Sequence, residues 1–197
     1  NHAKGSHHSA EIGFVNTCNG KLKGSQIGFV NAASSKVQGA QIGFINTAGG
    51  NLQGAQMGLV NTASGKTRGG QFGFVNTSGG DMQGGQVGFV NIGAKRIKGG
   101  QVGFINKSRK KITGTQIGFV NIADEIEGTP IGFLSIVRKG GYKAIEVSAS
   151  EIFPINLAFK TGVRNFYTYV KGGYSPNSYN QFGLGGGLGS NIHLTRS

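Results

Sequence analysis

Several residue types are scarce in this 197-residue chain, and each shortage excludes a class of protein. A single cysteine excludes an intrachain disulfide framework and a cysteine-based zinc site. Three prolines against 38 glycines, with no Gly-X-Y period, exclude a collagen-like triple helix. No apolar run approaches the ~18 residues of a transmembrane helix, so any membrane contact must come from strands or from the surface. Acidic residues number 7 against 20 Lys and Arg, which leaves a formal charge of +13.

The residues that are abundant recur with a period of 15 from Glu11 onward. The first two of nine copies read EIGFVNTCNGKLKGS and QIGFVNAASSKVQGA; the eighth is one residue short and the ninth is partial. We number the positions of each copy from its Gln, or from Glu11 in the first copy. Position 3 is Gly in all nine copies, and positions 4 and 6 are Phe and Asn in eight of them. Position 12 is apolar except for Thr67, and position 14 is always Gly.

This repeat predicts an all-β fold. Fifteen residues are too few for a helical hairpin, and the short alternating apolar stretches indicate two strands and two turns in each copy. A single copy cannot bury its own apolar side chains, whereas stacked copies can. We therefore predict a β-solenoid of about nine 15-residue coils over residues 11–141, rising ~4.8 Å per coil to ~40 Å. A polar tail of residues 1–10 precedes it, and antiparallel strands of a partial barrel or sheet, residues 142–197, come after it.

The alternation within each copy also predicts which side chains face the core. Positions 2, 4 and 12 are expected inside, with Phe74 buried and Gln71 on the outer surface. The Gly at position 3 lies within a strand, where glycine is normally unfavourable. It makes room either for a neighbouring core Phe or for an external partner on a bare strip. The Asn side chains at position 6 are expected to bond one another along the axis.

The residue types that usually catalyse reactions or bind metals are scattered along the sequence. The one close set of carboxylates, Asp124, Glu125 and Glu127, lies at the shortened coil and is typical of a solvated turn. The histidines stand in the N-terminal tail or alone, at His193. Cys18 occupies position 8, which otherwise holds small residues, so it is expected to fill space. We predict no catalytic, cofactor-binding or metal site, no cofactor and no small-molecule substrate.

Basic residues are more ordered, because positions 11 and 13 flank the buried position 12 and should point outward. The predicted basic wall has two explanations: solubility and edge protection, or contact with anionic envelope material such as lipopolysaccharide. Nucleic acid is not expected, since the wall has no interleaved aromatic residues for base stacking. The wall comprises Lys21, Lys23, Lys36, Lys66, Arg68, Arg96, Lys98, Arg109, Lys110 and Lys111.

The unit GxQxGFVN, with its trailing turn of small residues, resembles the bacterial surface-repeat proteins of Gram-negative species, whose tandem repeats read GxQxGLxN. The likeness covers residues 11 to about 141. The segment KAIEVSASEIFPINLAFKTGVRNFYTY is similar to the region after the repeats in that family, where the chain enters an outer-membrane β-barrel. The resemblance implies a location at the outer membrane or cell surface of a Gram-negative bacterium, and it implies no catalytic residues.

The C-terminal pattern predicts strands over residues 144–152, 155–163, 165–173 and 181–195. Their length fits transmembrane β-strands, and Tyr167, Tyr169, Tyr174 and Tyr179 suit an interfacial belt. An ordinary sheet that caps the open end of the solenoid fits the pattern equally well, and the resemblance favours the barrel. Single-chain barrels use ~8 or more strands. The segment is therefore expected to begin a longer barrel or to pair with strands of another subunit.

Together these observations predict a non-enzymatic structural or interaction protein of the cell envelope. The expected form is a solenoid attached to an outer-membrane barrel, as a subunit or plug-like part of a larger assembly. Its expected partners are other envelope subunits and anionic lipopolysaccharide. The alternative is a solenoid that binds surface polysaccharide or lipopolysaccharide. A carbohydrate-active enzyme is less favoured because no carboxylates cluster, and an ice-binding protein because the outward Thr ladder is irregular.

Overall fold

The computed structural model describes residues 1–176 and 180–191, and every regular element in these two ranges is a β-strand. Tyr179 and His193 lie outside the described residues. Within the described part of the chain, no helix has the length and apolar character needed to cross a bilayer. Nineteen strands form one parallel sheet system and four form an antiparallel sheet. The predicted solenoid with antiparallel strands after it is therefore confirmed.

The parallel strands alternate between a longer one at positions 12 to 2 and a shorter one at positions 5 to 8. They are β1 (His2–Ala3), β2 (Glu11–Ile12), β3 (Val15–Cys18), β4 (Leu22–Lys23), β5 (Gln26–Ile27), β6 (Val30–Ala33), β7 (Val37–Ile42), β8 (Ile45–Ala48), β9 (Leu52–Met57), β10 (Val60–Ala63), β11 (Thr67–Phe72), β12 (Val75–Ser78), β13 (Met82–Val87), β14 (Val90–Gly93), β15 (Ile97–Val102), β16 (Ile105–Ile117), β17 (Val120–Glu127), β18 (Pro130–Ile131) and β19 (Leu134–Lys139).

Each strand pairs with its equivalent one coil away, so that Val60 lies beside Val75 and Gln71 beside Gln86. The offset of 15 residues is interrupted once, between Ser108 and Lys111, where the register shifts. Lys111 then pairs with Glu125, at an offset of 14. The missing residue of the eighth copy is thus absorbed at this irregularity within β16, and the strands on either side remain paired.

The core contains different side chains from those predicted. Position 12 is buried as expected, but positions 2 and 4 face outward, so the expectation that they lie inside was wrong. Phe74 is 51% exposed and Gln71 is 0% exposed, which reverses their predicted places. The reason is strand geometry: positions 12 and 1 lie on the same face of the longer strand, so burying position 12 turns position 2 outward. The interior consists of Gln at position 1, Asn at position 6, a small residue at position 8 and an aliphatic residue at position 12.

The buried glutamines form a continuous ladder along the axis. Gln41 Nε2 donates to Gln26 Oε1 at 2.8 Å, and the same bond recurs up to Gln116. The second amide hydrogen goes to a backbone carbonyl at position 7, as from Gln41 to Thr47 O at 3.0 Å. The interior is therefore polar but almost fully hydrogen-bonded, which is the condition for burying amides at little cost.

The asparagines form a second ladder, as predicted, and it runs in the opposite direction. Asn16 Nδ2 donates to Asn31 Oδ1 at 2.9 Å, and each later Asn donates to the next one toward the C-terminus. The same nitrogen also donates to a position 2 carbonyl of the next coil, as from Asn16 to Ile27 O at 3.0 Å. This second bond fixes the turn between the two strands of each coil.

Two glycine positions are required by the close approach of neighbouring coils. A Cβ on Gly73, at position 3, would lie 2.0 Å from Gly58 O and 2.5 Å from Asn61 Nδ2. The backbone of the preceding coil and the Asn ladder therefore exclude a side chain at position 3. Neither a core Phe nor an external partner is the reason for this glycine. At position 14, Gly84 has φ 137° and a Cβ would lie 1.9 Å from Gly69 O.

Residues 1–10, expected to be a polar tail, join the solenoid as part of a further coil. Asn1 Nδ2 donates to Asn16 Oδ1 at 2.8 Å and so extends the Asn ladder. His2 pairs with Thr17, and His7 forms a bridge with Leu22, at the same offset of 15. The segment NHAKGSHHSA aligns with positions 6 to 15 of the repeat, but His7 replaces the apolar residue of position 12 and hides the match.

The antiparallel sheet contains β20 (Tyr142–Ser148), β21 (Ile155–Val163), β22 (Phe166–Ser175) and β23 (Gln181–Gly189), in chain order. It rests on the last coil of the solenoid. The hydroxyl of Thr161 donates to Ser135 O, and Thr168 Oγ1 donates to Phe133 O at 3.2 Å. These two hydrogen bonds attach β21 and β22 to the last coil. Among the described residues, no further coil covers the backbone carbonyls that accept them.

Candidate functional site

The predicted basic wall faces outward in the structure. Most of its side chains are exposed, and Lys36 and Lys111 are half-buried. One part of it is a notch of 190 Å³ that Lys66 and Arg68 form with Asn51 and Gln53 of the preceding coil. Two cations and two amides lining one concave surface suit an anion.

Two members of the wall are neutralised by carboxylates. Arg96 forms an ion pair with Asp81 at 3.1 Å, and Lys111 forms ion pairs with Glu125, at 3.1 Å, and with Glu127. Hydrogen bonding to Arg96 lowers the pKa of Asp81, and hydrogen bonding to Lys111 lowers the pKa of Glu127. Arg96 and Lys111 therefore contribute less positive charge to an external ligand than the other members do.

The second candidate surface is one that the hydrophobic pattern did not predict. We call it the apolar strip: the side chains of positions 2, 4 and 5 in successive coils. Phe29, Phe89 and Phe104 are each 44% exposed, and the position 2 residues are exposed to a similar degree. Because the coils are in register, these side chains form rows along the whole solenoid. The missed signal was the parity of position 12, which fixes position 2 on the outside.

The phenylalanines of the apolar strip stack face to face. Neighbouring ring centroids lie 4.8 to 5.0 Å apart and the rings are within 7° of parallel. Leu59 interrupts the row between Phe44 and Phe74. Within each unbroken run, neighbouring rings therefore cover one another's faces, and ring edges point outward. The surface offers C–H groups instead of open aromatic faces.

The antiparallel sheet has two faces of opposite character. Register places Ile145 beside Phe159, and Phe159 beside Val170, on one face, where Lys143 is the single charged side chain among the described strands. The other face contains the ion pair of Glu146 with Lys160, together with Tyr167, Tyr169 and Lys171. The apolar face carries Ile145, Val147, Ile155, Leu157, Phe159, Phe182, Leu184 and Leu188, which are 45 to 87% exposed.

The tyrosines expected at an interfacial belt divide between these two faces. Tyr174 pairs with Phe182 and lies on the apolar face. Tyr167 is 9% exposed and its ring lies under Lys160 Nζ, 5.3 Å from the ring centroid, on the polar face. Tyr169 lies on the same face as Tyr167. The belt predicted from sequence is thus not formed on one face by these residues.

The apolar strip and the apolar sheet face meet in one groove. Ile131 and Phe133 of the last coil, with Val170 and Leu188 of the sheet, line a groove of 330 Å³. Position 7, which flanks the apolar strip, holds Thr in most of the early coils and then Ile92, Lys107, Ile122 and Ile136 toward this end. The exposed apolar surface therefore widens toward the sheet and continues onto it.

Residues with catalytic or metal-binding potential remain apart. Within residues 1–176 and 180–191, no three His, Cys, Asp or Glu side chains are grouped so that they could hold a metal ion. Asp124 forms an ion pair with Arg138 at 3.2 Å, so the acidic corner is engaged with cations. Cys18 is 1% exposed in the core row of small residues, which confirms its predicted role as a space-filling residue.

Comparison of the chain with protein-family models, with curated proteins and with solved structures finds no match.

Proposed function

We propose that this protein is a non-enzymatic structural module of a Gram-negative cell envelope, in which the antiparallel sheet is the membrane-embedded part and carries the solenoid. The observation that carries the proposal is the contrast between the two faces of the sheet. An apolar face opposed to a polar face, alternating residue by residue along strands of 7 to 10 residues, is typical of outer-membrane barrels. The resemblance of the repeats to bacterial surface-repeat proteins supports the same location.

In a bilayer the two edge strands need partners. Among the described residues, β20 and β23 each pair on one side only. Lipid cannot satisfy the free backbone groups of such edges. The proposal therefore includes further strands, from a longer barrel or from other envelope subunits. A plug-like position inside a polar barrel lumen is disfavoured, because it would leave the apolar strip facing water.

The proposal is tested by flotation of the full chain with lipid vesicles after refolding. We expect the protein to float with vesicles and to resist extraction by salt. The double variant Leu157→Lys and Leu184→Lys should float less than the wild type, because Lys on a lipid-facing strand costs about 2–4 kcal/mol near the midplane. The matched control is Lys171→Gln on the polar face, which should float as the wild type does. The proposal would be overturned if the wild-type protein is a monomer in the absence of detergent and does not float with the vesicles.

A second candidate function rests on a separate observation, the notch of Lys66 and Arg68 within the basic wall. This geometry favours binding of a polyanion such as the phosphates of lipopolysaccharide. Such binding would weaken as ionic strength rises, because exposed charges are screened. It is compatible with the envelope role and concerns the basic wall, whose position 13 residues lie beside the apolar strip.

A further inference from the structure

The apolar strip is too large to be an ordinary feature of a monomer's surface. Its Phe residues are about half-exposed, which leaves roughly 90 Å² of each side chain open to solvent. Summed along the coils, the strip exposes on the order of 1,000 Å² of apolar area, whereas the largest patch on a typical monomer is about 300–600 Å². A surface of this size marks a contact.

The geometry of the apolar strip restricts the chemistry of that contact. Sugars and nucleobases bind aromatic side chains by stacking on ring faces. Here the ring faces cover one another at centroid distances of 4.8 to 5.0 Å, and ring edges and methyl groups point outward. Such a surface suits acyl chains or another apolar protein surface, and it offers little to a polysaccharide.

Charge distinguishes these two occupants. A second copy packed on the apolar strip would bring together two chains of formal charge +13. An anionic lipid surface would instead be attracted. Lys23, Arg68 and Lys98 occupy position 13, on the same outward face of the longer strand as position 2 and four residues before it. This places them ~13 Å from the strip, as a cationic margin beside an apolar surface.

The apolar strip is also continuous with the apolar sheet face through the groove of Ile131, Phe133, Val170 and Leu188. We propose that the solenoid lies along an anionic lipid surface with the apolar strip inserted among acyl chains and its cationic margin among the headgroups. This inference deepens the proposed function and rests on it only for the placement of the sheet. The solenoid is then a membrane-bound element along its length and does not project into solvent.

The chain lacks Trp, so single Trp reporters can be placed without background emission. Phe29→Trp reports on the apolar strip in the second coil, seven coil rises or ~34 Å from the sheet. Lys66→Trp, at position 11 of the basic wall and six residues before position 2, is the control outside the apolar strip, and Leu157→Trp reports on the sheet. Each full-length variant is mixed with vesicles of phosphatidylethanolamine and phosphatidylglycerol, with and without brominated acyl chains, after circular dichroism has verified its fold.

We expect brominated vesicles to quench Phe29→Trp to an extent comparable with Leu157→Trp, with a blue shift on lipid addition, and to leave Lys66→Trp unquenched. Quenching of Leu157→Trp without quenching of Phe29→Trp would overturn the inference and leave the proposed function standing. Absence of quenching at both sites would overturn both. A blue-shifted Phe29→Trp emission without lipid, together with a mass that grows with concentration, would assign the strip to a second copy and overturn the inference.

Discussion

The Glu11 carboxylate accepts a hydrogen bond from Gln26 Nε2 at 2.7 Å, in the place that a glutamine amide oxygen occupies in the later coils. Glu11 is 4% exposed, and its other oxygen, Oε1, has no hydrogen-bond partner. His7 Nε2 is 3.9 Å from that oxygen. At the first position of the Gln ladder, the Glu11 carboxylate therefore accepts a hydrogen bond, whereas the Gln side chains of the later coils both accept and donate.

Glu11→Gln should consequently stabilise the protein. The new amide nitrogen can donate to a position 7 carbonyl, as the other ladder glutamines do, and a buried charge is removed. We expect a gain of about 1 kcal/mol, the usual net worth of one hydrogen bond. Urea unfolding followed by circular dichroism provides the measurement, with the exposed Glu151→Gln as a neutral control. A loss of stability would show that the His7 contact outweighs the ladder.

Gln71→Ala should cost more than Phe74→Ala. Removing Gln71 leaves the Oε1 of Gln56 and the Nε2 of Gln86 without their partners, and each buried unsatisfied group costs about 1–3 kcal/mol. Phe74 is half-exposed and stacks on Phe89 at 4.8 Å, so its loss should cost about 1–2 kcal/mol. Unfolding midpoints in urea give the comparison. An equal or larger cost for Phe74 would place the core where the hydrophobic pattern predicted it.

Two adjacent glycines provide a matched test of the contact between coils. Gly84→Ala should destabilise the stack by about 3 kcal/mol or more, since its φ of 137° is strained for Ala and the Cβ would lie 1.9 Å from Gly69 O. Gly85→Ala should be neutral or stabilising by up to about 1 kcal/mol, because the nearest atom to its Cβ is 3.5 Å away. Thermal unfolding of both variants distinguishes them. Similar effects would mean that the coils can separate locally.

The basic wall should bind polyanions through its unpaired members. We expect the combined replacement of Lys66, Arg68, Lys98 and Lys110 with Gln to weaken lipopolysaccharide binding strongly. Replacement of Arg96 and Lys111, which are engaged by carboxylates, should weaken it less. Titration at several salt concentrations is the measurement, because binding should fall as screening increases. If the affinity for lipopolysaccharide changes neither with salt concentration nor with either group of replacements, the basic wall is excluded as a ligand surface.

The pair of Asp81 and Arg96 should give a small acid dependence of stability. Hydrogen bonding to Arg96 lowers the pKa of Asp81 in the folded protein. The stabilisation is therefore present above the unfolded aspartate pKa of about 3.9 and is lost as pH falls through the lowered value. The stability difference between wild type and Asp81→Asn should be constant near neutral pH and shrink below about pH 4. A difference that grows on acidification would contradict this direction.

The solenoid was predictable from sequence because a 15-residue period can bury its apolar side chains only by stacking. Which side chains face the core was harder to predict. The usual expectation that Phe is buried conflicts with the alternation of side chains along each strand. Once Leu52 is placed inside, Gln56 must lie on the same face and Met57 must point outward. The constancy of Gln at position 1, stronger than that of any aliphatic position, was the available signal.

Other features could not be derived from the period alone. The partial coil of residues 1–10 was hidden because His7 stands where Leu22 stands one coil later. The division of Tyr167 and Tyr174 between two faces depends on the register of β22 with its neighbours, which local pattern does not determine. The continuity of the apolar strip with the sheet depends on how the sheet meets the last coil.

The opposed directions of the two amide ladders bear on how the repeat number can change. Each added coil contributes one Gln amide dipole aligned with the axis and one Asn amide dipole aligned against it. Their sum along the stack stays near zero, unlike the backbone dipoles of a helix, which accumulate toward its ends. The two ladders therefore add no net dipole that grows with length when whole 15-residue units are duplicated or lost.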